Sequence, residues 1–575
     1  MRRWVTKKYQ INCGKIAARY GISEIMAEVL VKRGLFDWRD MDDYLFPDMD
    51  WLADACLMKD LEKAAGILAE NIRQGKKIFI VGDYDVDGVM STYILYRGLE
   101  MLGANVGYRL PHRVRDGYGM RPYMAEEAKE GGYDTIITCD NGISAGDAVA
   151  RGKELGLTVI VTDHHEVPED EDGEILPPAD CVVNPKQKGC PYPWKELCGG
   201  GIAYRLMAYM LERAGRAGEA RELLPFAAIA TVCDVVPLLG ENRILVKNGL
   251  DLLEDCPNLG LQALIQLQEF NRPVEAGDLG FRIGPCINAA GRLENGELAL
   301  ELLLAGDEES ARKRGEELLA LNERRKDYTA DATRRAAEMV ESGGDDRVLV
   351  LFLEDCHESV AGIVAGRIRE KYYRPVLIVT RGAQGLKGSA RSIPGYHMQR
   401  EIERCQSLLT EFGGHAMAAG FSLEEENFEA FRQMINEHCT LGDRDMVETV
   451  NFDREVPLGQ MTEGVVRELE RLEPVGQGNP GGVFACRGIE IARVQLCGRD
   501  GQIARLGLRD GIRSYAGVDF HWENRLKPAL TGRYGEGAWE ALVQGKTTGY
   551  QVDVLYRPKI NQRFGGVDFE IVDCR

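Results

Sequence analysis

A multidomain α/β protein is predicted, and three patterns predict it. From Lys76 onward, short β-branched runs alternate with helical stretches. A helix-like segment of about 35 residues comes next, spanning on the order of 50 Å. From about Thr449, short strands with Gly-rich turns indicate a small β-barrel. The 575 residues exceed what one hydrophobic core supports, so three or four domains are expected.

Taken in order, residues 1–75 read as helical. Apolar positions in SEIMAEVLVKRGLF and LEKAAGILAENI recur at steps of three and four. KKIFIVGDYD opens a set of strand-like runs continued by ANVGYRL, DTIITCDNG, LTVIVTDHH and DCVVNP, with helical segments between most of them. That alternation predicts a mainly parallel sheet, where ligands bind outside the carboxyl ends of the strands. Asp307 is placed to cap the long helix, which runs to about Ser342 as a rod between domains. A second α/β unit occupies about 346–441, and the barrel follows it.

Composition narrows the class. Apolar residues at 44% and charged residues at 28% are ordinary for a soluble globular chain. No uncharged apolar run of about 18 residues predicts a membrane span, and the N-terminus lacks the apolar stretch of a secretory signal. The fifteen cysteines are scattered without a C-x-x-C pair, which fits reduced thiols in a cytoplasmic protein. A net charge of −20 counts against nonspecific coating of nucleic acid over the whole surface, but allows a local basic groove and a carboxylate-rich metal site.

Four segments carry the chemistry. VGDYDVDG places Asp83, Asp85 and Asp87 at alternate positions after a strand, and carboxylates facing one way repel unless a cation sits among them. An EF-hand calcium loop does not fit the context. TCDNG contributes Asp140 and Asn141, alone no more than a common turn. VTDHHEVP contributes Asp163, His164 and His165, an adjacent imidazole pair at a strand end. ATVCDVVPL sets Asp234 among apolar residues, where a metal or an arginine must partner it. Together the donors are oxygen and nitrogen without thiolate, a set that suits Mn²⁺ or Mg²⁺. Several carboxylates in one site suggest two ions about 4 Å apart, suited to in-line attack at phosphorus.

The order DxD, DNG, DHH and an isolated Asp resembles the DHH phosphoesterase superfamily. FGGHAMAAGFSL looks like the GGH signature of the accompanying DHHA1 domain. GPCINAAGRL, GIVAGRIREKYYRPVLI, KGSARSI and LEPVGQGNP, with the barrel behind them, narrow the resemblance to the RecJ exonuclease family over nearly the whole chain. The resemblance implies an N-terminal helical segment at 1–75, a parallel-sheet DHH catalytic domain at 76–300 and a connecting helix at 301–345. A DHHA1 substrate-binding domain at 346–441 and an OB-fold-like domain at 449–575 complete the expected layout.

It also implies hydrolysis of single-stranded DNA from the 5′ end to mononucleotides, with two Mn²⁺ or Mg²⁺ ions, in repair and recombination. By the family pattern Asp85 and Asp140 hold one ion with Asp83 nearby. Asp87, Asp140, His164 and Asp234 hold the other. His165 touches the scissile phosphate or supports a ligand, and Asp163 and Asn141 stand behind the ligands. Arg113, Arg292, Ser389, Arg391, Gly413, Gly414 and His415 match positions expected to grip the strand, arginine through forked bonds to phosphate oxygens.

Near Arg113 the chain also offers Arg109, His112, Arg115 and Arg121 against Asp116, a local basic strip. In the barrel Tyr515, Phe520 and Trp522 are candidates for base stacking, with core packing expected of at least one. Expected partners are single-stranded DNA, a single-strand-binding protein and a RecQ-type helicase, for a monomeric enzyme. Two departures stand out: Cys286 replaces the usual arginine of GPRINAAGR, and EDCHESVAG lacks the usual aromatic before histidine. The competing readings are a nanoRNase or cyclic-dinucleotide phosphodiesterase, whose chains are usually shorter and lack the barrel, and a noncatalytic nucleic-acid-binding scaffold, which should have lost metal ligands.

Overall fold

Five short strands build the sheet that positions the acidic motifs: β1 (Lys77–Val81), β2 (Asn105–Arg109), β3 (Thr135–Cys139), β4 (Thr158–Thr162) and β5 (Cys181–Val183). They run parallel in the order β2-β1-β3-β4-β5. The central strand TIITC is buried throughout, which explains an unbroken run of β-formers rather than an alternating one. Helix α1 (Val86–Met101) leaves β1 through the DYD turn and is buried along most of its length. It packs against α2 (Gly199–Arg213) and α3 (Leu224–Cys233), a second helical layer over the sheet.

The computed structural model describes residues 2–382, 385–498, 501–546, 549–562 and 565–575. After α4 (Gly284–Leu293), the expected long helix is present as α5 (Glu308–Ser342), 35 residues long. Asp307 caps it, its carboxylate accepting from the Ser310 amide at 2.8 Å. One stripe of α5 is buried (Ala311, Gly315, Leu318, Asn322, Thr329, Ala332, Ala336), while Arg312–Glu316 and Arg334–Glu338 pair across the solvent face.

The second α/β unit carries β6 (Leu349–Phe352), α6 (Glu358–Tyr372), β7 (Val376–Arg381), β8 (Leu386–Arg391), β9 (Glu411–Gly414) and β10 (Ala418–Leu423). Its sheet is mixed, in the order β9-β10-β8-β7-β6, with only β6 and β7 parallel. Ala332 and Ala336 of α5 enter the same core as Val360, Val364 and Ile368 of α6. Small side chains there let the two helices approach closely.

The chain divides into two compact units, residues 48–447 and residues 1–47 with 448–575. In the second unit β11 (Arg454–Glu455), β12 (Phe484–Cys497), β13 (Ile503–Asp510), β14 (Arg513–Asp519), β15 (Tyr550–Ile560) and β16 (Val567–Cys574) form one sheet. Its order is β11-β12-β13-β14-β16-β15, and β12 also pairs with β15, which closes a five-stranded barrel. The β14–β16 pair is parallel where the other barrel pairs are antiparallel.

The N-terminal residues differ from a purely helical segment. Arg3–Val5 is a strand that pairs in parallel with Thr449–Asn451, so residues 1–47 fold with the barrel, whereas the helix Leu61–Arg73 packs beside the parallel sheet. A pairing across more than 400 positions leaves no trace in local periodicity. Among the described residues, no helix is long and apolar enough to cross a membrane.

Candidate metal centre

Every acidic motif lies at a strand or helix end facing the same point. Asp85 caps α1, accepting from the Gly88 amide at 3.1 Å, and Asp87 follows in its first turn. Asp140 follows β3 with φ +60°, a left-handed conformation that Asp tolerates better than most residues. Asp163 and His164 follow β4, and Asp234 ends α3.

These side chains converge on His164 Nε2. It lies 3.1 Å from Asp140 Oδ1 and 3.7 Å from both Asp87 Oδ2 and Asp234 Oδ2. Two triads, Asp87–His164–Asp234 and Asp140–His164–His165, each offer donor atoms within 4.8 Å of one another. Asp83 and Asp85 add charge beside them.

The electrostatics of the protein alone are unfavourable. Burial, followed by repulsion from neighbouring carboxylates, pushes Asp83, Asp85, Asp140 and Asp234 above the ordinary carboxylate range. Burial, opposed by Asp87, holds His164 below its usual value. Asp83 Oδ2 and His164 Nε2 are buried without a hydrogen-bond partner among the described residues. Buried acceptors aimed at one point, with a neutral imidazole and no thiolate among them, fit a hard divalent cation.

A supporting layer fixes the donors. Asp163 is fully buried; its Oδ2 accepts from the Ile143 amide at 2.9 Å, and its Oδ1 accepts from the His164 amide and lies 2.8 Å from His165 Nδ1. Burial alone would raise Asp163, but the His165 contact and the amides outweigh it and the carboxyl sits below the usual range. Asn141 ties the site to the sheet, donating to the Val81 and Cys139 carbonyls and accepting from the Met120 amide.

Three partners of the site carry no local sequence signal as clear as the acidic motifs. Asp87 accepts from the amides of Gly199 and Gly200, both at 2.7 Å, at the start of α2. A Cβ on Gly199 would sit 2.6 Å from Asp140 Cβ, so the backbone approach requires glycine there. The GGG run opening a helix was the available clue, since helix N-termini attract anions. Tyr118 donates to the Asp140 carbonyl at 2.6 Å and lies 2.9 Å from His165 Nδ1; nothing in its spacing foretold that.

Expected strand-gripping residues fall into two groups. Arg113 and Ser389 border a cavity of about 330 Å³ on the face of the second sheet, together with Ser359, which the sequence did not single out. Arg113 stacks on Tyr84 at 4.6 Å, and Arg292 donates to the Ser359 carbonyl at 2.6 Å. Burial, with Arg113 and Arg325 nearby, pulls Arg292 down to about 9. Burial likewise lowers Arg391. The rest of the basic strip is committed elsewhere: Arg109 pairs with Glu297, Arg115 with Asp116, Arg121 donates to the Asp116 carbonyl, and His112 Nδ1 accepts from the Val114 and Arg115 amides. Gly413 and Gly414 lie on the exposed edge strand β9, with Gly413 across from Gly420 and Gly420 across from Ser389. His415 is exposed just beyond them.

In the barrel Trp522 is buried, stacked at 4.6 Å on Trp539, so it packs the core. Phe520 is exposed, and Tyr515 lines a separate cavity of about 560 Å³. Cys286 is buried; its thiol accepts from Gln268 at 3.0 Å and from Asn322 at 3.3 Å, so this position faces the interior and not a phosphate. His357, in the other departing segment, caps α6 and contacts Ser359 Oγ at 2.7 Å.

Comparison with known proteins agrees with this architecture. Residues 77–231 match the DHH family, N-terminal domain; residues 345–440 match the DHHA1 domain; residues 452–572 match the RecJ OB domain. The single-stranded-DNA-specific exonuclease RecJ of Escherichia coli is 37% identical over 453 residues, covering 74% of this chain and 78% of that protein. RecJ of Thermus thermophilus is 36% identical over 512 residues, covering 89% and 72%. RecJ of Bacillus subtilis is 36% identical over 490 residues, covering 83% of this chain but 60% of its own length. The crystal structure of Thermus thermophilus RecJ with Mn²⁺ superposes with a TM-score of 0.82 at 30% identity, covering 100% of this chain and 79% of that one. A second exonuclease RecJ bound to manganese gives 0.59 at 37% identity, covering 67% and 96%.

Proposed function

The chain belongs to the RecJ family of single-stranded-DNA-specific exonucleases, and on that premise we propose that it removes 5′-mononucleotides from the 5′ end of single-stranded DNA by metal-assisted hydrolysis. The observation that carries this reading is the convergence of Asp87, Asp140 and Asp234 on His164.

Two divalent cations, Mn²⁺ or Mg²⁺, would supply an activated water and neutralise the attacking and leaving oxygens. Asp85 and Asp140, with Asp83 beside them, would hold one. Asp87, Asp140, His164 and Asp234 would hold the other. The Gly199 and Gly200 amides fix the Asp87 carboxylate, so its orientation does not depend on a flexible partner. Asp163 holds His165, which is left facing the substrate. Asp163→Asn should therefore lower hydrolysis about 10- to 100-fold and also lower the melting temperature, because the new amide NH2 must face a buried N–H or His165 where a carboxylate oxygen now accepts, read by single-turnover assay and calorimetry.

Arg113, Arg292, Ser389 and Arg391 would grip the terminal phosphate, and Gly413, Gly414 and His415 the strand beside them. Residues 76–300 serve catalysis, 346–441 hold substrate, and the barrel at 449–575 binds the trailing strand. Phe520 and Tyr515 offer it stacking surfaces. A cytoplasmic monomer acting with a single-strand-binding protein and a RecQ-type helicase completes the reading.

The test is digestion of 5′-phosphorylated single strands with Mn²⁺, labelled at either end, with duplex and dinucleotide controls. Immediate release of labelled mononucleotide from the 5′ end supports it. Preference for dinucleotides over long strands favours a small-substrate phosphodiesterase instead.

Metal removal has a predicted pH signature. The four raised carboxylates bind more protons folded than unfolded, so their contribution is full near pH 4 and is lost as pH rises through their folded values. The metal-free protein should lose melting temperature from pH 5 to pH 8, and Mn²⁺ should raise it more at pH 8 than at pH 5. An equal Mn²⁺ effect at both values, by differential scanning fluorimetry, would count against the site.

A further inference from the structure

The segment between β2 and the helix Pro122–Glu130 touches both the terminal-phosphate grip and the metal centre. β2 ends at Arg109, whose carbonyl accepts from the Gly82 amide at 3.0 Å, one residue before Asp83. Residues 112–116 then fold on themselves. The Asp116 carboxylate accepts from the His112 amide at 2.8 Å, and the Asp116 amide donates to the His112 carbonyl at 2.8 Å. Arg121 Nε donates to the Asp116 carbonyl at 2.6 Å from the far side. Asp116 thus closes a knot in the chain, with its side chain buried.

Arg113 stands on this knot. Its guanidinium lies over the Tyr84 ring at 4.6 Å, and the residue lines the same cavity as Ser389. Tyr84 sits between Asp83 and Asp85 and has little room to shift, since a Cβ on Gly291 would lie 2.4 Å from its carbonyl oxygen.

Beyond the knot, Gly117 and Gly119 take left-handed conformations, φ +74° and +78°, on either side of Tyr118. Three bonds fasten the chain to the metal centre. The Gly119 amide donates to Asp83 Oδ1 at 3.3 Å, the Tyr118 hydroxyl to the Asp140 carbonyl at 2.6 Å, and the Met120 amide to Asn141 Oδ1 at 3.1 Å. Having given its one hydrogen to Asp140, the hydroxyl can only accept from His165 Nδ1, 2.9 Å away. Residues 118–120 therefore hold the first three acidic motifs together. Phosphate grip and metal centre are two ends of one braced segment, and such a segment fixes a distance.

We infer that residues 110–121 form a measuring strut, in which Asp116 and Tyr118 are positioning residues that set the reach from Arg113 to the metals at one nucleotide and so fix product length. This inference rests on the single-strand exonuclease reading. Water attacks the phosphorus of the first internucleotide linkage, the P–O3′ bond breaks, and the proton ends on O3′. A correctly measured cut releases a 5′-mononucleotide and leaves a new 5′ phosphate on the strand. A slack strut brings the second linkage to the metals, and the same chemistry releases a dinucleotide.

The experiment follows the first product rather than the rate. A 20-mer with a labelled 5′ phosphate is cut by excess enzyme with Mn²⁺, the reaction is quenched early, and labelled mononucleotide and dinucleotide are separated. Wild type is compared with D116A, Y118F and a variant with one glycine inserted after Gly117. Wild type should release mononucleotide. D116A opens the knot and Y118F frees the strut from Asp140 and His165. Misplacement by about 1 Å costs the correct cut on the order of a hundredfold, so each should raise the dinucleotide share about tenfold. The inserted glycine adds about 3.5 Å of reach and should raise that share most. Product length is a ratio within each variant, so a general loss of rate or of folded protein does not move it. Mononucleotide alone from the variants overturns the inference. Y118F removes a single oxygen and decides the matter if D116A and the insertion do not fold. A wild type that releases no labelled nucleotide overturns the exonuclease reading itself, whereas mononucleotide from wild type and variants alike overturns only the strut.

Discussion

Asp140→Ala should reduce hydrolysis of single strands about a thousandfold or more without preventing folding. Asp140 is the carboxylate nearest His164 Nε2, at 3.1 Å, and is surrounded by Asp83, Asp85, Asp87 and Asp234. Removing it takes a shared donor from both proposed ions, and a few kcal/mol of lost charge stabilisation is a thousandfold in rate. The same change relieves repulsion in the metal-free protein but places alanine in a left-handed conformation, so its melting temperature in EDTA should change little. A variant that keeps a tenth of wild-type activity, or that unfolds in EDTA, would show that Asp140 is a structural carboxylate. Single-turnover kinetics with saturating Mn²⁺ and a thermal melt in EDTA make the check.

Gly199→Ala is expected to be nearly as damaging, although the residue carries no functional group. The added methyl would stand 2.6 Å from Asp140 Cβ and 3.0 Å from its Cα, closer than side chains approach. Either α2 or the turn after β3 must shift, and α2 supplies the two amides that hold Asp87. Displacement of about 1 Å at a reacting centre costs on the order of a hundredfold. Apparent Mn²⁺ affinity should weaken along with the rate. If Gly199→Ala changes neither, the fit between α2 and Asp140 is looser than the distances say.

The contrast between these two residues shows how far the sequence could be read. Acidic motifs at strand ends announced themselves because charge placed after an apolar run needs a partner, and a parallel sheet gathers strand ends on one edge. The long helix was legible through Asp307, placed to cap it, and through its length to about Ser342. Gly199 and Tyr118 were not, because their contribution is a distance to another segment: an amide pointed at Asp87 and a hydroxyl pointed at the Asp140 carbonyl. The strand at Arg3–Val5 escaped for the same reason, since its partner at Thr449–Asn451 lies at the far end of the chain. Trp522 illustrates the reverse case, a residue whose chemistry suits stacking on a base but whose surface is spent on Trp539.

The bond from Arg292 to the Ser359 carbonyl joins the two lobes of the larger unit at the mouth of the cleft. Any separation of the two lobes must break that bond, so the position of α6 and the aim of Arg292 are set together.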